Sequence, residues 1–138
     1  MDAPAMKHIA HISEMTTYVP PGHSGTQNVR LVEKGFDGSY EMVLGTVEPG
    51  GVADRHSHAT ESQAMYVIAG RAKVALGDDA AAEYGPGTIF RIPPGLDHLV
   101  ESLGPAEASA EALSVRRISY LWELKTRVPP SRSKRMTS

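Results

Sequence analysis

The sequence predicts an all-β domain, built either as a sandwich or as a closed antiparallel barrel. Its 13 glycines and 10 prolines are spread along the 138 residues as turn signals, and the apolar segments between them are short. The long amphipathic helices that an α/β fold requires between its strands are missing. Because exposed strand edges invite aggregation, many short strands at this spacing favour a sandwich or a closed barrel.

Alternating side chains and turn residues define the first strands. Apolar residues alternate with others over residues 40–44, which predicts a strand that ends at a turn formed by residues 48–51. The apolar segments 64–69 and 71–76 flank Gly70, and we interpret them as the two arms of a hairpin.

The later part of the chain continues the pattern with one exception. Residues 88–92 are predicted to form a strand between two turns rich in glycine and proline. The alanine-rich segment 105–112 is either a helix or a loop. A final strand is predicted to carry four apolar side chains on one face, namely Ile118, Tyr120, Trp122 and Leu124.

The two ends of the chain differ from its middle. We assign residues 1–25 to an N-terminal arm, 26–124 to the barrel and 125–138 to a tail. The arm lacks clear periodicity, although residues 18–21 can form an edge strand or an arm across a partner. The tail has five basic residues and no acidic one, and we expect it to be a disordered, solvated end.

Composition excludes several classes of function. The net charge of −2 gives no electrostatic reason to expect a nucleic-acid or membrane partner. The lack of cysteine excludes disulfides, thiolate nucleophiles and thiolate-bound metals. Polar residues interrupt the N-terminal segment where a signal peptide would need an apolar stretch, and no run approaches the roughly 18 apolar residues of a membrane span. We therefore expect a cytoplasmic protein.

Two histidines, His56 and His58, are the first candidates for a metal site. Residues two apart on a strand point to the same side, so both imidazoles are expected to face the interior of a barrel. Neutral imidazole is a good ligand for first-row divalent metals. The chain contains six histidines, so this pair by itself is only a hypothesis.

Two longer spacings place this pair in a family pattern. The first spacing is Gly50-x5-His56-x-His58-x4-Gln63-x6-Gly70. The second is Gly87-x5-Pro93-x-Gly95-x2-His98, in which a histidine follows a tight Pro-Gly turn. Together they resemble the two signature motifs of the cupin superfamily, and they cover residues 50–98.

The resemblance implies a fold, an assembly and a set of metal ligands. A cupin is a jelly-roll β-barrel, usually a homodimer, with one divalent metal ion inside. Two or three coordination positions remain open for water and a small-molecule substrate. In this chain the expected ligands are His56, His58, Gln63 and His98.

Two positions depart from the family pattern. The first motif usually has glutamate at the position of Gln63, and the second usually ends in asparagine where this chain has Ser102. Glu61 lies on the same strand face as Gln63 and remains a lesser ligand candidate. Gln63 is preferred because it stands at the family's usual spacing and resembles known three-His/one-Gln sites.

The expected ligand set restricts both the metal and the chemistry. Three imidazole nitrogens and one amide oxygen suit Zn, Fe, Mn, Ni, Co or Cu, and the ligands do not choose among these metals. All four ligands are neutral, so the ion keeps its full charge and is a stronger electrophile. An amide has no titratable proton near neutral pH and cannot replace glutamate as a general base.

Three functions are consistent with such a site. In the first, the ion is a Lewis acid in isomerisation, cyclisation or lyase chemistry on a small carboxylate, enol or phenol-like substrate. In the second, it promotes dioxygenation of an enol, diketone or flavonol-like compound. In the third, the domain binds or senses a small ligand without catalysis. The first is favoured because Gln63 removes the usual carboxylate base.

Further residues are candidates for the walls of a substrate pocket. Strand alternation places Met65 and Val67 on the inward face of Gln63, with Phe90 and Ile92 in similar positions, where core packing is the simpler role. The pocket candidates are Met65, Phe90, Tyr120, Trp122 and, if the N-terminal arm folds over the barrel, His23. The residues expected at the surface are His8, His11, Arg91 and Asp97.

Overall fold

The protein consists mainly of β-strands, as the sequence predicts. The computed structural model describes residues 7–104 and 109–118. Within these residues it contains nine strands, a 3₁₀ turn (Ile12–Glu14) and a one-turn helix, α1 (Lys34–Asp37). The strands are β1 (Thr17–Tyr18), β2 (His23–Val32), β3 (Tyr40–His56), β4 (Glu61–Ala69), β5 (Ala72–Leu76), β6 (Ala82–Tyr84), β7 (Ile89–Ile92), β8 (His98–Ser102) and β9 (Ala110–Ile118).

Antiparallel pairing joins these strands into one curled sheet. Its order is β6-β5-β8-β3-β9-β4-β7, with β2 added to β3 and β1 added to β2. The long β3 pairs with β9 over residues 40–47 and with β8 over residues 52–56, so it belongs to both halves of the barrel. The predicted all-β jelly roll is confirmed. None of the helices in the described residues is long and apolar enough to cross a membrane.

Residues 48–51 do not form the turn that the sequence predicts. They stay within β3, and the pairing of β3 with β2 is irregular at this point, between Ser24 and Thr26. A Cβ on Gly51 would lie 2.7 Å from both the Ser24 carbonyl oxygen and a Val47 methyl group. The glycines therefore permit a close strand contact and a bend, which lets one strand change partners from β9 to β8.

The predicted hairpin around Gly70 is also wrong. β4 pairs with β7 and β9, whereas β5 pairs with β6 and β8, so the chain passes to the other half of the barrel at Gly70. Gly70 has φ +78°, and a Cβ there would lie 2.6 Å from Ala110 Cα. A single glycine is too short for a hairpin loop but suits a sharp corner beside another strand.

The C-terminal part differs from its predicted form where the structure describes it. Residues 110–112, predicted as helix or loop, begin β9 and pair with β3, because the small alanines fit the inside of the sheet. Residues 105–108 lie outside the described residues. So do Tyr120, Trp122 and Leu124 of the predicted final strand, and the tail 125–138.

Part of the N-terminal segment joins the sheet. The β1 residues Thr17–Tyr18 pair with β2 at the edge of the sheet, so of the segment 18–21 only Tyr18 belongs to an edge strand. β2 begins at His23, which lies opposite Ala53 on β3. This pairing brings His23 against the strand that carries His56.

The apolar core lies between the two halves of the barrel. Side chains from β4 and β7 meet side chains from β5, and the Phe90 ring packs edge-on against Tyr84 at 5.1 Å between centroids. Each fully buried large side chain of this kind contributes about 1.5–3 kcal/mol. The buried members are Val67, Ala72, Val74, Phe90 and Ile92.

Candidate metal centre

Three histidines from two strands and a loop meet at one end of the barrel. His56 ends β3, His98 begins β8, and the two are opposite each other in the pairing of these strands. One ring nitrogen from each of His56, His58 and His98 lies within 4.8 Å of the others, a spacing that could hold a metal ion. His58 reaches this position from the loop after β3, not from the strand face that the sequence predicts, because β3 ends at His56.

Backbone carbonyls orient two of these imidazoles. His56 Nδ1 donates to the Asp54 carbonyl oxygen at 2.6 Å, and His98 Nδ1 donates to the Leu96 carbonyl oxygen at 3.1 Å. A carbonyl oxygen only accepts, so in the neutral ring the proton is on Nδ1 and Nε2 carries the free lone pair. Metal-binding histidines are commonly held in this way.

Gln63 presents an oxygen atom to the same cavity. Its Nε2 donates to Ser114 Oγ at 2.7 Å, across from β4 to β9. Among the described residues, three buried side-chain atoms have no hydrogen-bond partner, namely Gln63 Oε1, His98 Nε2 and His23 Nδ1. Unpartnered buried acceptors are costly unless something binds them, so the donor set fits a divalent cation.

Glu61, the lesser ligand candidate, has other partners. Its carboxylate forms an ion pair with Lys34 and lies 3.8 Å from Arg116 Nε. Of the described residues, the three imidazoles and Gln63 line the cavity, and Glu61 does not. The geometry therefore favours the amide over the carboxylate.

The cavity is an apolar space with a polar end. Its volume is about 140 Å³, and most of its wall consists of aliphatic and aromatic side chains. Met65, Phe90 and His23 line it, and His23 does so from the start of β2, not from an arm folded over the barrel. Tyr120 and Trp122 lie outside the described residues. His8, His11, Arg91 and Asp97 are exposed.

Burial keeps two of the imidazoles, those of His58 and His98, in their metal-binding form. It is the largest cause that lowers the pKa of His58, followed by the charge of Arg116. Burial also lowers the pKa of His98 and outweighs the opposing hydrogen bond with Leu96. Both rings are therefore neutral near pH 7, and a neutral ring is the form that binds a metal.

An ion cluster that the sequence does not predict shares the barrel interior with the histidines. Glu41 is 2% exposed and accepts hydrogen bonds from Arg116 and from Arg30, the latter at 3.2 Å. Burial raises the pKa of Glu41, but the hydrogen bonds and charges of the two arginines outweigh it and lower the pKa. The alternation of Ser114 and Arg116 with apolar neighbours was the available signal.

Comparison with known proteins supports the same family. Residues 43–116, more than half of the chain, match the cupin domain family. The germin-like protein 3-7 of Oryza sativa subsp. japonica is 39% identical over 71 residues, which are 49% of this chain and 30% of that protein. The chain thus spans less than a third of that curated relative.

Solved structures of similar fold include two bacterial proteins. The polyketide cyclase RemF from Streptomyces resistomycificus has a TM-score of 0.68 and 25% identity, covering 81% of this chain and 80% of its own. A predicted oxalate decarboxylase from Thermotoga maritima has a TM-score of 0.70 and 19% identity, covering 80% and 98%. With its jelly roll, its histidine triad and this family match, the chain belongs to the cupin family.

Proposed function

We propose that this protein is a metalloenzyme that holds one divalent ion with His56, His58, His98 and Gln63. A bound ion would act as a Lewis acid, polarising an oxygen atom of a small carboxylate, enol or phenol-like substrate. The reaction class is isomerisation, cyclisation or lyase chemistry. The observation that carries this proposal is the buried Gln63 Oε1, which has no hydrogen-bond partner among the described residues.

The charge of the ligand set supports Lewis-acid chemistry. The three imidazoles and the amide are neutral, so they leave the charge of a divalent ion uncompensated. A glutamate at position 63 would remove one unit of that charge and could also act as a base. Gln63 can do neither, and its hydrogen bond to Ser114 engages its nitrogen atom, so that its oxygen atom is the one without a partner among the described residues.

The cavity walls have a separate role in this proposal. Apolar side chains around the polar end exclude water, which strengthens electrostatic interactions with a substrate. Similarity to RemF, a polyketide cyclase, is in keeping with cyclisation or a related reaction.

Metal content is the first measurement. We expect protein purified without added metal to contain about one divalent ion per chain by plasma mass spectrometry. His98→Ala should lose most of it, while His8→Ala, a change of an exposed histidine, should retain it. A metal content that is the same in both variants would refute the assigned ligands.

Turnover separates the alternative functions. We expect the metal-loaded protein to convert enolisable carbonyl compounds while oxygen consumption stays at background. Oxygen uptake with enols or diketones would establish the dioxygenase instead, and metal binding without any turnover would indicate a binding domain. Gln63→Glu should keep the metal and lower the rate, because the ion becomes less electrophilic.

The expected homodimer is part of the proposal. Tyr66 and Ile68 on β4 and Ile89 on β7 are between 44% and 45% exposed, and Tyr66 lies opposite Ile89 in the sheet. Neighbouring exposed apolar side chains of this kind favour an interface. Light scattering should give twice the chain mass, and Tyr66→Lys should shift it to that of a monomer.

A further inference from the structure

We propose that Arg116 binds a carboxylate group of the substrate, so that the substrate class is a small carboxylic acid. This inference rests on the proposed function and narrows it. Four features of the structure carry it: the position of Arg116 in the sheet, its orientation, the charge of its surroundings and its reach into the cavity.

The strand register points the Arg116 side chain into the barrel. Arg116 on β9 lies opposite Glu41 on β3 and opposite Gln63 on β4. Residues directly opposite each other in a sheet project to the same face, and both Glu41 and Gln63 project inward. Arg116 accordingly lines the same cavity as the three imidazoles.

Glu41 holds the guanidinium by the edge formed by Nε and Nη2. Arg116 Nε donates to Glu41 Oε2 at 3.0 Å, and Nη2 donates to the same oxygen. Nη1 takes part in neither of these bonds. A guanidinium fixed in this way is preorganised to donate from its remaining N–H groups to a planar anion.

The ion cluster around Arg116 has an excess of positive charge. Arg30, Lys34 and Arg116 are arranged around two carboxylates, Glu41 and Glu61. Because Arg30 also binds Glu41 and Lys34 also binds Glu61, Arg116 shares each of its carboxylate partners with another cation. The cluster thus carries a net charge of about +1, which favours an anion in the cavity.

Arg116 and the candidate metal ligands line one cavity. Its lining includes Arg116, His23 and the imidazoles of His56, His58 and His98. An anionic substrate can therefore interact with Arg116 at one end while another of its oxygen atoms lies at the histidines. A neutral substrate of the same size would form no ion pair with the guanidinium and would bind more weakly.

The test compares pyruvate with its neutral amide, pyruvamide, by calorimetric titration of the purified protein with and without added Zn²⁺. We expect the unaltered protein to bind pyruvate at least about tenfold more tightly than pyruvamide. Arg116→Met should abolish this preference, and Arg116→Lys should restore part of it because a charge returns without the fork. Arg91→Met removes an exposed arginine and should keep the full preference.

Two further measurements separate a loss of carboxylate binding from a loss of folding or of metal. Arg116→Met leaves Glu41 with one partner fewer, so the double variant Glu41→Gln/Arg116→Met serves as a folded alternative, checked by circular dichroism. No preference in the unaltered protein, or an equal preference in Arg116→Met, would overturn the inference. Metal content is measured separately: if no metal binds but the preference still depends on Arg116, the proposed function fails and this inference stands.

Discussion

Gln63 on β4 and Ser114 on β9 are diagonal neighbours across the two strands, and the Gln63 amide nitrogen donates to the Ser114 hydroxyl oxygen at 2.7 Å. This bond decides which end of the amide enters the cavity. With the nitrogen engaged, the oxygen Oε1 is left buried and unpartnered within the described residues, beside three imidazoles. A side chain 51 positions later in the sequence thereby turns a glutamine into a candidate metal ligand.

Removing the Ser114 hydroxyl should weaken metal binding. Ser114→Ala leaves the Gln63 amide free to rotate, and groups that orient a ligand are typically worth about 10–100-fold in metal affinity. We expect a loss of at least about tenfold for Zn²⁺, measured by competition with a chromophoric chelator. Ser39→Ala, just before β3, should have no effect, and an unchanged affinity in Ser114→Ala would show that the amide is oriented by something else.

Acid should destabilise the metal-free protein in two pH ranges. The folded-state pKa values of His23, His58 and His98 are lowered, with burial as the largest cause. Below the ordinary histidine value of 6.5, the unfolded chain binds more protons than the folded one, so stability falls as the pH decreases. The lowered pKa of Glu41 contributes stability above its ordinary value of 4.5, and this is lost as the pH falls through the folded-state pKa.

Melting temperatures of the metal-free protein measured from pH 8 to pH 4 check this prediction. His58→Asn should reduce the decrease that begins near pH 6.5, since an amide does not titrate. His8→Ala should leave it unchanged, because that histidine is exposed. A melting temperature that does not change between pH 7 and pH 5 would contradict the expected linkage.

Breaking the buried ion cluster should lower stability. Glu41→Gln removes a charge that is 2% exposed and leaves Arg30 and Arg116 without their shared carboxylate. We expect the free energy of unfolding to fall by about 2 kcal/mol, less than for a fully buried pair because Arg30 is half exposed. Urea unfolding measures it. The exposed pair Arg71–Glu83 provides the control, and Glu83→Gln should cost less than about 1 kcal/mol.

Gly70 should tolerate no side chain. Its φ of +78° strains any L-residue, and an added Cβ would also lie 2.6 Å from the backbone of Ala110. Gly22 has a similar φ of +74° but open space around it. We expect Gly22→Ala to cost about 1–2 kcal/mol and Gly70→Ala clearly more, measured by urea unfolding. Equal losses would show that the chain corner can move away from β9.

Local spacing was sufficient to predict the family and most of the site. Glycines at turns and histidines at set distances from them are short-range features, so the two motifs predicted the jelly roll and brought His56, His58 and His98 together. The same reasoning preferred Gln63 to Glu61. The prediction that His58 lies on a strand with His56 was wrong, because strand alternation does not show where β3 ends.

Pairing between strands far apart in the sequence decided the features that local spacing did not predict. The sequence by itself determined the fold class and a list of ligand candidates, since both depend on short spacings along the chain, such as those of residues 50–70 and 87–98. Only the tertiary structure placed Ser114 behind Gln63, and Arg116 beside Glu41 at a separation of 75 residues. The tertiary structure also showed that β3 continues through residues 48–51 and that β4 and β5 are not neighbours in the sheet. The physical reason is that a strand's partners depend on how the whole sheet closes, which no local pattern specifies.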